Sequence, residues 1–331
     1  MTNSTSSVRP GEFELIRTLF APLSRALPGA FGLADDVAIV SPPDGHEIVL
    51  KTDAVIEGVH FHKSDPAETI AKKALRVNIS DFAAKGAAPH AYLLALGLPD
   101  WPDISWLEWF VQGLAEDQAE FNVDLAGGDT NRTPGPLTIA VTMTGFVPRG
   151  TLIRRSGAAV GDVVYVTGSI GDAGGGLELL HAPATGPSGR NAELVSRYQV
   201  PRPRLAFGQM LRGIASASLD VSDGLIADLG HIAEVSKVRI EIDAGRVPLS
   251  AALREFRGND LSAVANAATA GDDYEIAFTA PLAQRNAISM AAKQSNTQVT
   301  EVGRVMAGEG AVLLDAKGRE IPLSRLGHTH F

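Results

Sequence analysis

Aspartates recur in this sequence at the points where apolar segments begin or end. Asp35 and Asp36 precede one apolar run, Asp53 follows another, and Asp129 follows a third within Gly127-Gly128-Asp129-Thr130. The end of a strand fixes the direction of a side chain, and adjacent glycines let a ligand approach the backbone. A single aspartate is usually a cap or turn residue. The set instead predicts a magnesium site, because carboxylate oxygens together with substrate phosphates are the ligands of this ion.

Asp81 extends this carboxylate series in a segment with helical spacing. It continues the apolar positions Ile70, Ala74 and Val77, which places a carboxylate on a face that should be buried. An unpaired buried carboxylate costs several kcal/mol, so Asp81 requires a partner. Magnesium satisfies that requirement.

The second half of the chain repeats the arrangement in Asp220-Val221-Ser222-Asp223-Gly224. Two acids three residues apart flank a predicted strand-to-helix turn. Ser222 or Asp223 can also cap the helix, and the capping and metal interpretations are compatible.

Phosphate-binding signals are weaker. The chain lacks Gly-Lys-Ser, Gly-Lys-Thr and a His-Arg-Asp loop, which excludes a P-loop and a protein-kinase site. Gly168, Gly171 and Gly174 lie between a predicted strand and helix, where backbone N–H groups can hold a phosphate or the glycines can be purely structural. Arg155 can bind a phosphate or be solvated. His60 alone is more often a packed or surface residue than a ligand.

Composition restricts the class of protein. The 331 residues are 45% apolar, which favours two domains, and the absence of cysteine excludes disulfides, thiolate metal sites and a cysteine nucleophile. The net charge of −9 without a run of Lys or Arg argues against nucleic-acid binding. Without a leader-like segment or a membrane-length apolar run, we expect a cytoplasmic protein that does not enter membranes.

Apolar runs alternate with helical segments, which indicates an α/β protein. Strands are expected at 37–40, 48–50, 91–98, 123–126, 137–147, 163–166 and 274–278, and helices from Pro66 and from Gly224. A shift to Gly, Arg and Ser places the domain boundary near residue 150, between domains 1–150 and 151–331.

Several of these motifs together resemble the thiamine-monophosphate kinase family, within the superfamily named for aminoimidazole ribonucleotide synthetase. The resemblance runs nearly end to end. The matching segments are Gly11-Glu12-Phe13, Asp35-Asp36, Thr52-Asp53, Glu57-Gly58-Val59-His60-Phe61, Val77-Asn78-Ile79-Ser80-Asp81, Gly127-Gly128-Asp129-Thr130, Arg155-Ser156-Gly157, Asp220-Val221-Ser222-Asp223-Gly224-Leu225 and Gly271-Asp272-Asp273-Tyr274-Glu275.

The resemblance implies a two-domain synthetase-like fold of the α/β (α+β) class. The N-terminal domain would form a dimeric β-barrel-like sheet, and the active site would lie between that domain and the C-terminal α/β domain. ATP would phosphorylate thiamine monophosphate directly, by in-line transfer to its phosphate, without a catalytic side chain. Several Mg²⁺ ions would be held by Asp36, Thr52, Asp53, Asp81, Asp129, Asp220 and Asp223. Gly128, Asp129, Arg155 and Ser222 would contact ATP, and His60 and Asp272 would contact thiamine monophosphate.

The sequence departs from the family pattern at a few positions. Lys51 stands where many relatives have a small hydroxyl residue, which bears on the number of ions bound. Asp272 stands where a glutamate is common, and Arg325 stands near the place of an aromatic residue, for which Phe331 is a weak substitute. The alternatives are another ATP-using synthetase of the superfamily and a non-catalytic sensor of thiamine phosphate or nucleotide.

Overall fold

The structure is a computed structural model that describes residues 11–181 and 190–328. Its backbone contacts divide the described residues into two compact units. Unit 1 contains the described residues of Met1–Asn78 and Pro89–Val147, and unit 2 contains those of Ile79–Ala88 and Pro148–Phe331. No helix in the described ranges is both long and apolar enough to cross a membrane.

Unit 1 is built from a four-stranded sheet and two long helices. Its elements are α1 (Glu12–Leu15), β1 (His46–Ile56), α2 (Ala67–Ala84), β2 (Ala88–Leu98), α3 (Ile104–Phe121), β3 (Asp124–Arg132) and β4 (Thr138–Pro148). Short segments of other helix types cover Ile16–Phe20, Ala21–Ser24 and Pro28–Leu33. The last residues of α2, from Ile79, and the start of β2 are counted with unit 2.

The sheet of unit 1 has the strand order β1-β4-β2-β3. One face of β1 is open to solvent, with Ile48 and Leu50 exposed by 48% and 70%, while Val55 on the opposite face is buried. Successive side chains of a strand point to opposite faces, so Ile48, Leu50 and Thr52 share the open face. Leu93 of β2 is also exposed.

An extra residue interrupts the parallel pairing of β2 with β3. Tyr92 pairs with Leu125 but Leu93 pairs with Gly127, so Ala126 is bulged out of the register. From there the pairing continues regularly, with Asp129 opposite Ala95.

Unit 2 contains a six-stranded sheet in the order β10-β7-β9-β5-β8-β6. Its strands are β5 (Val163–Thr167), β6 (Ala217–Asp220), β7 (Arg239–Asp243), β8 (Ile276–Ala280), β9 (Val299–Met306) and β10 (Gly310–Leu314). Its helices are α4 (Asp172–His181), α5 (Arg190–Gln199), α6 (Leu205–Met210), α7 (Leu225–Ser236), α8 (Ala251–Arg257), α9 (Leu261–Ala268) and α10 (Arg285–Gln294), with short 3₁₀ turns at Ala244–Arg246 and Leu282–Gln284.

Both faces of this sheet are buried at β5, β6 and β8. Along β5, Val164 and Val166 belong to one apolar cluster and Val163 and Tyr165 to another. Since alternate side chains point to opposite faces, each cluster covers one face of the sheet. Strands buried on both faces explain why these segments are continuously apolar in the sequence.

Two strand predictions are wrong in ways that matter for the site. Residues 37–40 form no strand: Val37 and Ile39 are exposed, and the Ile39 amide donates to the Gly29 carbonyl at 2.9 Å. Asp53 and Asp129 do not follow strands but lie inside β1 and β3. The helix predicted from Pro66 is present as α2, and the strand-to-helix turn after Asp220 is present between β6 and α7.

Candidate active-site residues in the two units

An acidic cavity lies on unit 1. It has a volume of about 670 Å³, and Asp36, Gly128 and Asp129 line it together with Asp35 and Thr142. Apolar side chains of the N-terminal helical turns complete the wall, and its lining includes no Lys, Arg or His among the described residues. The cavity therefore brings three of the predicted site residues together and leaves their carboxylates without a basic side chain in the wall.

The β2–β3 pairing shapes this cavity. A Cβ atom built on Gly128 would lie 1.9 Å from the Leu94 carbonyl oxygen, so only glycine allows the two strands to approach this closely. Asp129, one residue later, is exposed, and its Oδ2 accepts a hydrogen bond of 2.5 Å from Asn131 Nδ2. The glycines thus belong to the strand and are not a turn that ends it.

Thr52 and Asp53 point to opposite faces of β1. The Thr52 hydroxyl lies 3.0 Å from the Thr142 hydroxyl, which lines the cavity, and donates to the Val141 carbonyl at 3.2 Å. Asp53 is on the other face, where its Oδ1 lies 3.2 Å from Lys51 Nζ. Because Lys51 and Asp53 are two residues apart in a strand, they share a face. Lys51 therefore supplies a positive charge next to a predicted metal ligand.

A tight turn fixes the orientation of the His60 ring. The Ile56 amide donates to Nδ1 of His60 at 3.1 Å, so Nδ1 is the acceptor and the proton of the neutral ring is on Nε2. Glu57, in the same turn, accepts from Trp101 Nε1 at 3.2 Å and from the Leu137 amide at 3.1 Å. These contacts anchor the turn to two other segments of unit 1.

In unit 2, the loop between β6 and α7 surrounds a buried carboxylate. The amides of Ser222, Asp223 and Gly224 all donate to Oδ2 of Asp228, at 3.0, 2.9 and 3.1 Å. The helix begins after Gly224, which cannot cap with a side chain, and Asp228 satisfies the amides from within the helix. Burial, reinforced by the nearby charge of Asp223, raises the pKa of Asp228 to about 7.

We expect this shift to make stability depend on pH. An aspartate in an unfolded chain has a pKa of about 3.9, so between that value and about 7 the folded protein retains a proton that the unfolded chain releases. The contribution of protonated Asp228 to the stability of the fold is therefore complete below its pKa in the unfolded chain. It is lost as pH rises through its pKa in the folded protein. Urea unfolding of the wild type and of Asp228→Asn, which cannot ionise, should show the wild type losing stability relative to the variant between pH 5.5 and 8. A difference in stability that is the same at both pH values would contradict the prediction.

Asp272 lies against the same loop. Its amide donates to the Ser222 carbonyl at 2.8 Å, and its Oδ1 accepts from the Tyr274 hydroxyl at 3.1 Å. The structure thus brings Asp220, Ser222, Asp223 and Asp272 into one pair of adjoining loops in unit 2.

The end of the described chain contacts the same loop. The His328 amide donates to the Asp223 carbonyl at 2.9 Å. Arg325, predicted near the place of an aromatic residue, is exposed, and Phe331 lies outside the described residues.

Arg155 is an exposed residue in a neighbouring loop of unit 2. Ser236, at the end of α7, accepts hydrogen bonds from the amides of Gly157 and Ala158 at 3.2 and 3.3 Å. The Ser218 amide of β6 donates to the Arg154 carbonyl at 2.9 Å. The loop backbone is therefore fixed while the Arg155 side chain remains in solvent.

Asp81, on the α2 turn counted with unit 2, is only partly buried, whereas Ser80 and Phe82 beside it are buried. The expectation of a fully buried carboxylate is therefore too strong. The spacing of apolar residues predicts which face of a helix is buried, but it does not predict how deeply each residue on that face is buried.

The glycines at 168, 171 and 174 have packing roles. Added Cβ atoms would lie 2.1 Å from Glu275 Oε1, 2.5 Å from Ala267 Cβ and 2.6 Å from Ala270 Cβ, respectively. The Gly171 amide donates to Asp273 Oδ2 at 2.7 Å, and the Gly168 amide donates to the Gln298 carbonyl at 2.9 Å. These contacts favour a structural role for the three glycines over a role in phosphate binding.

Sequence reasoning missed three anchoring carboxylates: Glu57, Asp228 and Glu275. A signal existed for Asp228, which interrupts the apolar series Leu225, Ile226 and Leu229 on a helix. A charged residue on such a face requires internal hydrogen-bond partners.

Comparisons with known proteins assign both halves of the chain to one class. The family model of AIR synthase related protein, N-terminal domain, matches residues 34–147, and that of AIR synthase related protein, C-terminal domain, matches residues 159–315. The fold is thus that of the AIR synthase-related proteins, as the sequence motifs predicted.

Individual relatives narrow the assignment. Thiamine-monophosphate kinase of Caulobacter vibrioides is 40% identical over 97% of this chain and 91% of its own length. The crystal structure of thiamine-monophosphate kinase from Stenotrophomonas maltophilia K279a is 38% identical, with a TM-score of 0.82 over 92% of this chain and 98% of that one. The structure of AaThiL complexed with AMPPCP and TMP is 32% identical, with a TM-score of 0.78 over 97% of each chain. The chain belongs to the thiamine-monophosphate kinase family.

Proposed function

We propose that this protein catalyses the ATP-dependent phosphorylation of thiamine monophosphate to thiamine diphosphate. The observation that carries the proposal is the near full-length similarity to AaThiL complexed with the ATP analogue AMPPCP and TMP. The acidic cavity with Gly128 and Asp129 in its wall supports it, because a site for two polyanionic substrates without basic walls requires bound cations.

In the proposed reaction, an oxygen of the thiamine phosphate attacks the γ-phosphorus of ATP. A new P–O bond forms as the bond between the γ-phosphorus and the β,γ-bridging oxygen breaks, and ADP leaves. The attacking oxygen is already anionic at neutral pH, so the protein has to position the two substrates and offset their charge, without a covalent intermediate.

The donor set fits magnesium. Asp36 and Asp129 present carboxylates to the cavity, and Asp220 and Asp223 flank the loop after β6. We propose that Asp36, Thr52, Asp53, Asp81, Asp129, Asp220 and Asp223 hold several Mg²⁺ ions. When bound, these ions would neutralise phosphate charge. The Lys51–Asp53 ion pair indicates that this chain supplies part of the positive charge itself.

We assign the substrate contacts by the same reasoning. Gly128, Asp129, Arg155 and Ser222 are proposed to bind ATP, with the exposed guanidinium of Arg155 able to pair with a phosphate through two donors. His60 and Asp272 are proposed to bind thiamine monophosphate. The tautomer set by the Ile56 amide makes Nε2 of His60 a donor, as contact with a phosphate oxygen requires.

The exposed apolar face of the unit 1 sheet supports a homodimer. Ile48, Leu50 and Leu93 are exposed by 46–70% on β1 and β2. Large apolar side chains exposed on one face of a sheet typically mark an interface. We propose that a second copy of this chain covers it, and that the enzyme acts in the cytoplasm, where ATP is available.

Leu50→Asp is expected to convert the dimer into a monomer. A carboxylate in the centre of an apolar interface loses its hydration without gaining a partner, which costs several kcal/mol per copy. Sedimentation velocity at low micromolar concentration measures the oligomeric state. Leu261→Asp, at a residue of α9 with 51% exposure in unit 2, is the control and should leave the dimer intact. A dimeric Leu50→Asp variant would show that another surface forms the interface.

The function is tested with the purified full-length chain, ATP and magnesium against a panel of phosphorylated acceptors. Thiamine monophosphate should support ADP release together with an equal amount of thiamine diphosphate, and thiamine, selenide and purine-pathway intermediates should not. ADP release with another acceptor only would favour a synthetase of the superfamily. Binding of thiamine monophosphate without turnover would favour a sensor.

A further inference from the structure

The loop that carries Asp272 has an unfavourable backbone. Asp272 and Tyr274 have φ angles of +68° and +50°, in the left-handed region. A side chain is unfavourable in this region, because its Cβ atom crowds the backbone carbonyl oxygen. Two such residues within three positions persist only where the surrounding structure imposes them.

Backbone hydrogen bonds provide one part of that restraint. The amides of Asp272 and Tyr274 donate to the carbonyls of Ser222 and Val221, both at 2.8 Å, and the Val221 amide donates to the Glu275 carbonyl at 2.8 Å. The loop therefore follows the course of the segment after β6, which carries proposed metal and ATP ligands.

A buried ionic network provides the second part. The Glu275 side chain has no exposed surface, and its Oε1 accepts from Nη2 of Arg197 at 2.7 Å and from Nη2 of Arg204 at 2.5 Å. Its Oε2 accepts from Arg204 Nε at 2.7 Å and from the Thr167 hydroxyl at 2.6 Å. Thr167 in turn accepts from the Ile276 amide at 2.8 Å. Four donors from three segments thus hold one carboxylate.

The residue between Asp272 and Tyr274 is anchored in the same way. The Asp273 carboxylate is buried and accepts from the Gly171 amide at 2.7 Å and from the Ala173 amide at 3.3 Å, at the start of α4. Side chains at 273 and 275 therefore point into the unit, and Asp272, directly before the first of these two anchors, remains partly exposed.

Such a network is a poor way to gain stability. Desolvation of the charges offsets most of the attraction in a buried ion pair. Apolar residues of similar volume in the same place often give a fold that is equally stable or more stable. The network instead holds the strained loop of Asp272 and Tyr274 in a single conformation. That loop presents Asp272, a proposed contact of the thiamine phosphate.

We infer that Glu275, clamped by Arg197 and Arg204, is a positioning residue that fixes the direction of the Asp272 carboxylate for binding of the phosphorylated acceptor. The inference rests on the proposed function. Glu275 contacts neither substrate and acts through the loop backbone.

The test compares three variants of the full-length enzyme. Glu275→Gln removes the charge that holds both guanidinium groups, and Arg204→Lys keeps the charge but loses the two-point contact. Asp117→Asn is the matched control, because Asp117 is equally buried and bound through two donors by Arg76, in unit 1. Each variant is assayed for kcat and for the KM of each substrate, and its unfolding is measured in urea.

We expect Glu275→Gln to raise the KM for thiamine monophosphate about 10-fold or more, and Arg204→Lys to raise it by less, while the KM for ATP changes by less than about 2-fold. Asp117→Asn should lose stability without this selective change. If Glu275→Gln fails to fold, Arg204→Lys alone decides the question.

Unchanged KM for thiamine monophosphate in the folded variants, or an equal rise for both substrates and in the control, would overturn the inference. The wild-type assay keeps the two proposals apart. A wild type inactive on thiamine monophosphate refutes the function, whereas an active wild type with unaffected variants refutes only the positioning role.

Discussion

Replacing Asp129 with asparagine is expected to lower the rate of thiamine diphosphate formation by roughly 100-fold or more, with the fold unchanged. The variant keeps the size of the side chain and an oxygen that can accept from Asn131, but it removes a negative charge from the wall of the cavity. Because Asp129 is exposed within β3, its neutralisation disturbs no buried contact. The measurement is kcat/KM at saturating magnesium, together with the far-UV circular dichroism spectrum.

Asp44→Asn provides the control for Asp129→Asn. Asp44 is an exposed aspartate in the turn before β1 and does not line the cavity, so its variant should retain wild-type activity. Calorimetric titration with magnesium and AMPPCP should also show weaker binding for Asp129→Asn. Near-normal turnover of this variant would refute the role of the cavity in metal and ATP binding.

Gly128→Ala is expected to destabilise unit 1 by about 3 kcal/mol or more. Most single substitutions cost less, and losses of this size come from a few causes, such as overpacking of the core. The new Cβ would meet the backbone of Leu94, with its carbonyl oxygen at 1.9 Å and its carbonyl carbon at 2.8 Å. Backbone atoms of a paired strand cannot move aside without breaking the β2–β3 hydrogen bonds. Urea-induced unfolding measures the loss.

The adjacent glycine gives the control for this prediction. A Cβ on Gly127 would meet only the Leu93 Cδ2 atom, at 3.3 Å, and the end of a flexible side chain can move by a few tenths of an ångström. Gly127→Ala should therefore be much less destabilising than Gly128→Ala. Equal losses for the two variants would mean that strand flexibility absorbs the close contact.

Much of the fold was readable from the sequence because its local signals agree with one another. Strands are predicted at 163–166 and 274–278, and the structure has β5 at the first position and β8, which begins two residues later, at the second. The Asp220 to Gly224 segment predicted a strand-to-helix turn, since an apolar strand, polar turn residues and a helical pattern follow in order. The kinase family was identified from the motifs and is confirmed by the relatives.

The remaining features depend on contacts between distant segments. Gly127 and Gly128 are typical of the end of a strand, yet they lie inside β3. At Gly128 the reason for a glycine is the close approach of β2, where a side chain would collide with the Leu94 backbone. Residues 37–40 have the apolar content of a strand but lack its pairing. Glu275 is recognisable in the sequence only as part of a motif, since nothing adjacent in sequence reveals two arginines more than 70 residues away.

The bulge at Ala126 decides which face of the sheet the Asp129 carboxylate reaches. If Ala126 instead paired with Leu93, Asp129 would lie opposite Leu96, whose side chain is buried, and not opposite Ala95 on the open face. Deleting Gly128, after the bulge, would likewise place Asp129 opposite the buried Leu94. Evolution can therefore exchange side chains along this part of β3 far more readily than it can add or remove a residue between the bulge and Asp129.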